Sequence, residues 1–267
     1  MTVKTLGGDK GVLKSSPKLW RLVPLQTASG AEQMAIDSWL LDQHVKGLQP
    51  PSLRFYTWRS PTLSLGYHQR QFPPHWNNLH WQGQKVDLVR RPTGGRAVLH
   101  QGDLTYAVIT SGLKGSRREV YRQLCQFLIE GWQTLGVTLS FGSAERGYIH
   151  NPNCFGTATA ADLVMDGGYK LIGSAQVYRN GCILQHGSIR LTPSSDLFEQ
   201  VFGTQVVPPG LPEELWANGF SPIIEALTQA ASERFGSQFK TQPLTPAEIE
   251  AAMTDHLPKL ERPFSQD

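Results

Sequence analysis

Hydrophobic and polar positions alternate or form short apolar runs along much of the chain, with turn residues between the runs. This pattern is typical of β-strands. It predicts strands at 19–23, 53–58, 62–67, 86–89, 97–99, 104–110, 161–165, 169–178 and 182–189. Only a short break at Pro61 separates 53–58 from 62–67, so we expect these two strands to form an antiparallel pair. The last three strands are joined by short Gly-containing turns, so we expect a three-stranded meander.

Apolar residues spaced three and four apart predict helices between and after these strands. The most regular example begins at Ser116 and ends at Gly136. Ser29–Glu32 and Thr245–Glu248 each have the capping-box pattern that opens a helix. A further helix is predicted from Ser221 to Gly236, with short helices within 72–81 and 198–202. The sequence therefore predicts an α+β fold with a predominantly antiparallel mixed sheet flanked by helices.

We expect one folded domain with an appendage at each end. Residues 1–18 are predicted to be a flexible segment, 19–207 the core, and 208–267 a C-terminal helical segment packed on the same domain. The Pro208-Pro209-Gly210 run marks the junction before that last segment.

Composition restricts the class of protein. The chain has 267 residues, of which 39% are hydrophobic, and a formal net charge of +3. This small charge does not favour nucleic-acid binding, although a local basic face could attract an acidic protein partner. An odd, low count of three cysteines indicates a reducing compartment. No stretch is typical of a signal peptide or a membrane span, so we expect a cytoplasmic protein without membrane contact.

The segment from Val89 to Val108 combines a glycine turn with fixed charge. An apolar run enters Gly94-Gly95 and another leaves it, with Arg90 and Arg91 before the turn and Arg96 after it. Adjacent glycines permit positive φ and let backbone N–H groups approach a ligand closely. Arginines beside such a turn suit a polar or anionic ligand with a carbonyl or phosphate group. A plain hairpin with surface arginines is the alternative.

Cys154 is a candidate nucleophile because it lies in a long polar stretch, 141–159, that predicts a loop. A thiol has a pKa of about 8.5 and needs a nearby cation or donor to ionise at neutral pH. Lys170, in the following hairpin, could supply that charge. The alternatives are a small buried cysteine under a loop and a solvated strand lysine.

Histidines and the other cysteines give weaker indications. His186, in Gln185-His186-Gly187-Ser188, could orient a ligand carbonyl, but a structural histidine is the alternative. His100 and His150 allow the same two interpretations. Cys125 and Cys182 lie in apolar patterns and are expected to pack in the core. No set of side chains has convincing metal spacing, and no P-loop or dinucleotide motif is present, so neither metal nor cofactor is expected.

Three motifs together resemble the biotin/lipoate protein ligase superfamily. They are Arg-Arg-Pro-Thr-Gly-Gly-Arg-Ala-Val-Leu-His at 90–100, Lys-Leu-Ile-Gly-Ser-Ala-Gln at 170–176, and Ile-Leu-Gln-His-Gly-Ser-Ile at 183–189. Within the superfamily the chain is most similar to LipM-type octanoyltransferases, which carry a Cys-Phe pair before the lysine hairpin, as Cys154-Phe155 does here. They also have Gly-Gly-Arg where ATP-dependent ligases commonly have Gly-Gly-Gly. Gln101 departs from the family, which usually has Asp after the histidine.

The resemblance implies Cys154 and Lys170 as catalytic residues. It also implies a substrate site, for which the candidate residues are Arg91, Thr93, Gly94, Gly95, His100, Gly173, Ser174, Ala175 and His186. The implied reaction moves an octanoyl group from octanoyl-acyl carrier protein to Cys154, and then to a lysine of a lipoyl domain such as glycine cleavage H protein, without ATP. Two alternatives remain open: an ATP-dependent lipoate ligase, which would tolerate loss of Cys154, and a non-catalytic binder of lipoyl domains or acyl carrier protein.

Overall fold

The computed structural model describes residues 18–142 and 161–260. The strands are β1 (Lys18–Ala28), β2 (Ser52–Trp58), β3 (Thr62–Leu65), β4 (His80–Trp81), β5 (Gln84–Lys85), β6 (Asp87–Arg90), β7 (Val98–His100), β8 (Asp103–Ser111), β9 (Leu139–Phe141), β10 (Leu163–Met165), β11 (Lys170–Arg179), β12 (Cys182–Arg190) and β13 (Ser237–Thr241). The α-helices are α1 (Gly30–Val45), α2 (Arg117–Thr134), α3 (Ser195–Phe202), α4 (Ser221–Phe235) and α5 (Pro246–Leu260). Short 3-10 helices cover Pro74–Asn78 and Glu213–Leu215.

One large mixed sheet contains eight strands in the order β13-β1-β2-β8-β12-β11-β10-β9. β1 is parallel to both β13 and β2. The remaining neighbours, from β2 through to β9, pair antiparallel. The predicted fold class is therefore confirmed: a predominantly antiparallel mixed sheet with helices against it.

The predicted meander forms β10, β11 and β12. Gly167 and Gly168 in the first turn have φ of +93° and +86°, and Asn180 and Gly181 in the second have +47° and +79°. These are left-handed conformations that glycine and asparagine adopt at low cost. The turn chemistry in the sequence was thus sufficient to predict this part of the sheet.

A second sheet has the order β6-β3-β7. The prediction that 53–58 and 62–67 pair with each other was wrong, because β2 lies in the large sheet between β1 and β8, whereas β3 lies in the small one. The break at Ser60 and Pro61 redirects the chain from one sheet to the other. The segments on either side of Gly94-Gly95 also differ from a hairpin, since β6 and β7 each pair with β3.

Helices cover both faces of the large sheet. On one face, the predicted stripe of α2 packs with α4 over Tyr106 and Val108 of β8. On the other, α1 and α5 pack over Ala107 and Ile109 of the same strand. Alternate residues of β8 therefore contribute to different cores, as the period of a strand requires. Cys125 lies in the first core, as predicted.

The helix ends follow the sequence pattern closely. Ser29 accepts a hydrogen bond from the backbone N–H of Glu32 at the start of α1. Thr245 and Glu248 form both bonds of a capping box at the start of α5. Gly236 ends α4 with a φ of +56°. Each cap satisfies backbone groups that the first or last helical turn leaves without partners.

The C-terminal segment also contains a strand that the sequence analysis did not predict. β13 extends the edge of the large sheet beside β1. Arg21 of β1 ties the following helix to this edge, because its guanidinium donates to both carboxylate oxygens of Glu248, at 2.7 and 2.9 Å. The division of the chain into a core and a C-terminal segment stays a prediction. Residues 1–17 of the predicted flexible segment lie outside the described residues.

Candidate active site

A cleft lies where the small sheet meets the end of the large one. It encloses about 470 Å³ of empty space, part of it open to solvent. Seven of the candidate residues from the sequence line it: Arg91, Gly95, His100, Gly173, Ser174, Ala175 and His186. Three apolar side chains, Met34, Trp58 and Val98, also line it. The structure therefore gathers positions from three separate motifs around one cavity.

The two arginines before the glycine turn hold backbone carbonyls in place. Arg91 donates to the carbonyl oxygens of Ser64, Gly94 and Arg96 at 2.7, 2.8 and 2.7 Å. Arg90 likewise donates to the carbonyls of the chain that follows β3. These hydrogen bonds fix the backbone of the glycine turn and of the segment after β3. A ligand contact by Arg91, as the sequence resemblance implies, stays a prediction.

The turn approaches its neighbours so closely that two glycines have no room for a side chain. Gly95 has a φ of +97°, and a Cβ there would lie 2.7 Å from Nη2 of Arg91. At Gly66, a Cβ would lie 1.9 Å from the carbonyl oxygen of Gly95. In contrast, a Cβ at Gly94 would meet no atom within 4 Å. Gly95 and Gly66 are therefore required by packing, whereas Gly94 faces open space.

His186 is held at both ring nitrogens. Its Nδ1 lies 2.8 Å from Oδ2 of Asp37 and its Nε2 lies 2.7 Å from Oγ1 of Thr93. A carboxylate at Nδ1 requires the proton on that nitrogen, so in the neutral ring Nε2 accepts from the Thr93 hydroxyl. Thr93, a candidate ligand contact, is fully buried and sets the orientation of the histidine.

Asp37 is the partner of His186, and it is absent from the candidate site residues predicted from the sequence. It is fully buried on α1 and also accepts from Nη1 of Arg54 and the hydroxyl of Tyr56, at 2.8 and 2.9 Å. Burial acts to raise the pKa of Asp37, but the charge of Arg54 and the bond from His186 outweigh it and lower that pKa below its ordinary value. The carboxylate is thus ionised, and the ion pair with Arg54 compensates its burial.

His100 has a second network of the same form. Its Nδ1 lies 2.8 Å from Oδ2 of Asp103 and its Nε2 lies 2.8 Å from Oγ of Ser64. The indole of Trp58 stacks on the ring at a centroid distance of 3.8 Å. Burial lowers the pKa of His100 despite the opposing charge of Asp103, so the ring is neutral at pH 7. Neutral His100 donates to Asp103 and accepts from Ser64.

Lys170 begins β11, three residues before Gly173, and is almost completely buried. Its Nζ lies 2.9 Å from Oδ1 of Asp162, which is equally buried. Like Asp37 and Asp103, Asp162 is a buried carboxylate that was not among the candidate residues from the sequence. Lys170 is outside the set of described residues that line the cleft, so the structure places it next to the site along the same strand.

Cys154 and His150 lie outside the described residues, within 143–160. The two ends of that segment are joined, because the backbone N–H of Gly142 donates to the carbonyl oxygen of Asp162 at 2.9 Å. Cys154 stands eight positions before Asp162 in the sequence. An extended chain of that length spans up to about 26 Å.

The two described cysteines are poor nucleophiles. Burial raises the pKa of the Cys125 thiol to about 12. Burial also raises the pKa of Cys182. Both side chains are free and buried, as predicted from their apolar patterns. A thiol with a raised pKa is protonated at neutral pH, so neither cysteine is suited to attack a carbonyl.

Two kinds of feature are absent from 18–142 and 161–260, the described ranges. Within these ranges no group of three or more His, Cys, Asp or Glu side chains is arranged to hold a metal ion. Over the same part of the chain, no helix combines the length and apolar character needed to cross a bilayer.

Comparison with known proteins gives matches of two kinds. A family model described as the lipoyl protein ligase A/B catalytic domain matches residues 29–210. Octanoyltransferase LipM of Halalkalibacterium halodurans is 39% identical over 194 residues, which cover 68% of this chain and 70% of that protein. The protein of the same name from Anoxybacillus flavithermus is 38% identical over 199 residues, covering 69% and 70%.

A solved structure is similar over nearly the whole chain. It is a putative lipoate protein ligase from T. acidophilum with bound lipoic acid, with a TM-score of 0.72 and 22% identity. The match covers 90% of this chain and 95% of that one. At this identity the likeness shows a shared fold.

Proposed function

The chain belongs to the lipoyl protein ligase A/B catalytic domain family, and from that membership and its octanoyltransferase relatives we propose that it transfers octanoyl groups in protein lipoylation. The proposed donor is octanoyl-acyl carrier protein. The proposed acceptor is a lysine of a lipoyl domain, such as that of glycine cleavage H protein. Transfer passes through a thioester on Cys154, in a compartment that keeps the thiol reduced.

The reaction has two balanced halves. First, the Cys154 thiolate attacks the thioester carbonyl of the donor, and the carrier leaves as a thiol after taking up one proton. Next, the neutral amine of the acceptor lysine attacks the acyl-cysteine, an amide forms, and Cys154 leaves as the thiolate while the amine releases a proton. A thioester is converted to an amide, so no nucleotide is consumed.

The buried pair of Asp162 and Lys170 supports a role for the lysine beside the reacting carbonyl. The Lys170 ammonium favours the thiolate form of Cys154 and stabilises the oxyanion that develops during attack. Asp162 holds that ammonium in one orientation at 2.9 Å. A fixed charge in a buried site acts on the transition state without first reorganising.

The cleft suits a short acyl chain. Met34, Trp58 and Val98 give it an apolar lining, and His100 and His186 close its polar side. Each methylene that leaves water contributes about 0.8 kcal/mol, so a cleft of fixed depth discriminates between chains of different length. Backbone N–H groups of Gly94-Gly95 or of Gly173–Ala175 are candidates to receive the carbonyl oxygen.

The proposal depends on one observation. Residues from three sequence motifs line a single cleft, and part of its wall is β11, the strand that begins with the buried Lys170. The test is intact-mass measurement after incubation with octanoyl-acyl carrier protein and no ATP. We expect one octanoyl adduct on the wild-type protein and none on Cys154→Ala. Cys182→Ala is the matched control, since it removes a cysteine with a raised pKa, and it should still be acylated.

The second half is tested by adding a lipoyl-domain acceptor to the acylated protein. We expect the adduct to leave the enzyme and appear on one acceptor lysine. An adduct that persists on Cys154→Ala would contradict the cysteine mechanism. Transfer of lipoate that requires ATP and survives loss of Cys154 would instead indicate a ligase.

A further inference from the structure

A second, larger pocket adjoins the cleft. It encloses about 1350 Å³ of empty space, much of it open to solvent. We call it the outer pocket, and its polar lining includes His68, Arg117, Gln176, Arg179, His256 and Lys259.

The outer pocket continues the cleft along three shared elements. On the glycine turn, Gly95 lines the cleft and Gly94 lines the outer pocket. On β11, Ala175 lines the cleft and Gln176 lines the outer pocket. On α1, Ser38 of the outer pocket follows Met34 of the cleft by about one helical turn. The two pockets are therefore neighbours along these three elements.

The charge of the outer pocket is positive. The described lining contains Arg117, Arg179, Lys259 and two histidines, and no Asp or Glu. Arg179 is compensated by an ion pair with Asp42. Among the described residues, however, Arg117 and Lys259 have no carboxylate within ion-pair distance. Arg117 instead lies over the ring of Tyr178, 5.2 Å from its centroid. Within the described part of the chain, these two positive charges are therefore available to an anionic ligand.

His256 is a buried residue of this pocket whose pKa is affected by the nearby positive charges. Burial, then the charges of Lys259, Arg179 and Lys46, lower its pKa to about 4, against the opposing charge of Asp255. A second carboxylate, Asp42, lies 3.4 Å from its Nε2.

We infer that the outer pocket binds the phosphate group of the phosphorylated pantetheine arm that carries the octanoyl thioester, with Arg117 and Lys259 as its cationic partners. This inference rests on the proposed function and specifies how the donor binds. The arm is linear, with the thioester at one end and the phosphate at the other. Along β11 the distance from Ala175, in the cleft, to Tyr178, whose ring lies under Arg117, is about 10 Å. The thioester can therefore lie in the cleft while the phosphate lies in the outer pocket.

The phosphorylated arm occurs both on acyl carrier protein and in coenzyme A, so the experiment uses both. Calorimetric binding to the full chain is measured for 4′-phosphopantetheine, pantetheine, coenzyme A and holo-acyl carrier protein. We expect 4′-phosphopantetheine to bind about tenfold more tightly than pantetheine, the effect of one or two charge-assisted contacts. Binding of coenzyme A but not of holo-acyl carrier protein would identify coenzyme A as the source of the arm and overturn acyl carrier protein as donor.

The variant Arg117→Ala/Lys259→Ala should remove the preference for the phosphorylated arm without changing the affinity for pantetheine. Both side chains are exposed, so loss of fold is not expected. Arg118→Ala is the matched control, because Arg118 is the adjacent exposed arginine outside the pocket lining. Equal affinity of the wild-type protein for 4′-phosphopantetheine and pantetheine, or an unchanged preference in the double variant, would overturn the inference.

These readouts need no catalysis, so they separate the two proposals. If the binding preference is found but no donor acylates Cys154, the outer pocket stands and the cysteine mechanism fails. If octanoyl-pantetheine acylates Cys154 as efficiently as octanoyl-4′-phosphopantetheine, the mechanism stands and the inference about the outer pocket fails.

Discussion

Asp162 and Lys170 form a buried ion pair across the first turn of the meander, with Oδ1 2.9 Å from Nζ. Asp162 lies two positions after the segment 143–160 that contains Cys154, and Lys170 begins the strand that leads to Gly173. The pair therefore joins the chain bearing the proposed nucleophile to the wall of the cleft. It also gives the ammonium a fixed position at the cost of burying two charges.

Replacing Asp162 with alanine leaves the buried ammonium without this carboxylate. Removing one partner of a buried ion pair costs about 3–5 kcal/mol, so we expect the free energy of unfolding to fall by an amount in that range. Urea denaturation followed by circular dichroism measures it.

The double variant Asp162→Leu/Lys170→Met separates folding from chemistry. It removes both charges and fills the same space with apolar groups, which is often neutral for stability. We expect this double variant to unfold near the wild-type urea concentration yet to form no acyl-enzyme.

For the single variant, an unfolding free energy of Asp162→Ala equal to that of the wild type would show that the pair is not a significant buried interaction.

Gly95→Ala tests the packing of the glycine turn. The new methyl group would lie 2.7 Å from Arg91 Nη2 on a backbone with a φ of +97°. Left-handed strain alone costs about 1–2 kcal/mol, and displacement of Arg91 adds to it. We expect unfolding at a lower urea concentration and weaker acylation of the enzyme.

Gly94→Ala is the matched control for stability, because a Cβ there meets nothing within 4 Å. We expect its unfolding free energy to stay within about 0.5 kcal/mol of wild type, as for an ordinary surface change. Equal destabilisation by the two substitutions would mean that the close contact with Arg91 does not determine the need for glycine.

Thr93→Val tests whether the hydroxyl orients His186. Valine has the same shape but leaves Nε2 of His186 without the donor that lies at 2.7 Å. Loss of a partner from a buried polar atom costs about 1–3 kcal/mol, and we expect a loss of stability in that range. Thr93→Ser keeps the hydroxyl and should recover most of it.

The nitrogen NMR shifts of the His186 ring supply a second readout. In the wild-type protein we expect the proton on Nδ1, facing Asp37, and a hydrogen-bonded Nε2. Thr93→Val should change the Nε2 shift, whereas Thr93→Ser should not. An unchanged Nε2 shift in Thr93→Val would exclude the Thr93 hydroxyl as its partner.

Local patterns in the sequence were sufficient for much of the fold. The meander follows from turns at Gly167-Gly168 and Asn180-Gly181, where few residue types adopt positive φ. The capping boxes and α2 follow from spacing within a single helix. Each of these features depends on residues close together in the chain, so the sequence alone contains the required information.

Long-range pairing was not predictable in the same way. β13 is a short and mostly exposed edge strand whose partner, β1, lies more than 200 residues earlier. Its parallel alignment follows from the packing of α4 and α5 and not from any turn. Similarly, the separation of β2 and β3 into two sheets depends on β8 occupying the position beside β2.

In the site, the sequence motifs located residues that line the cleft but not the carboxylates behind them. Seven candidate residues line the cleft, while Asp37, Asp103 and Asp162 each bond to a candidate histidine or lysine. Asp37 had a detectable pattern, since it is a single acidic residue within the apolar run from Met34 to Leu41. Asp162 had none, because its partner is fixed only when the meander folds.

Acid should destabilise the protein through His256. Its pKa is lowered from 6.5 to about 4 on folding, chiefly by burial and by Lys259. Below pH 6.5 the unfolded chain therefore takes up a proton that the folded chain does not, and stability is lost progressively down to about pH 4.

The variant His256→Gln tests this, because glutamine has no group that titrates in this range. The difference in urea midpoint between wild type and His256→Gln should change between pH 7 and pH 4, with the wild type losing more. Carboxylates far from His256, such as Asp37, titrate in both proteins, so their effect cancels in this difference. A difference that stays constant across this range would show that His256 has the same pKa in the folded and unfolded states.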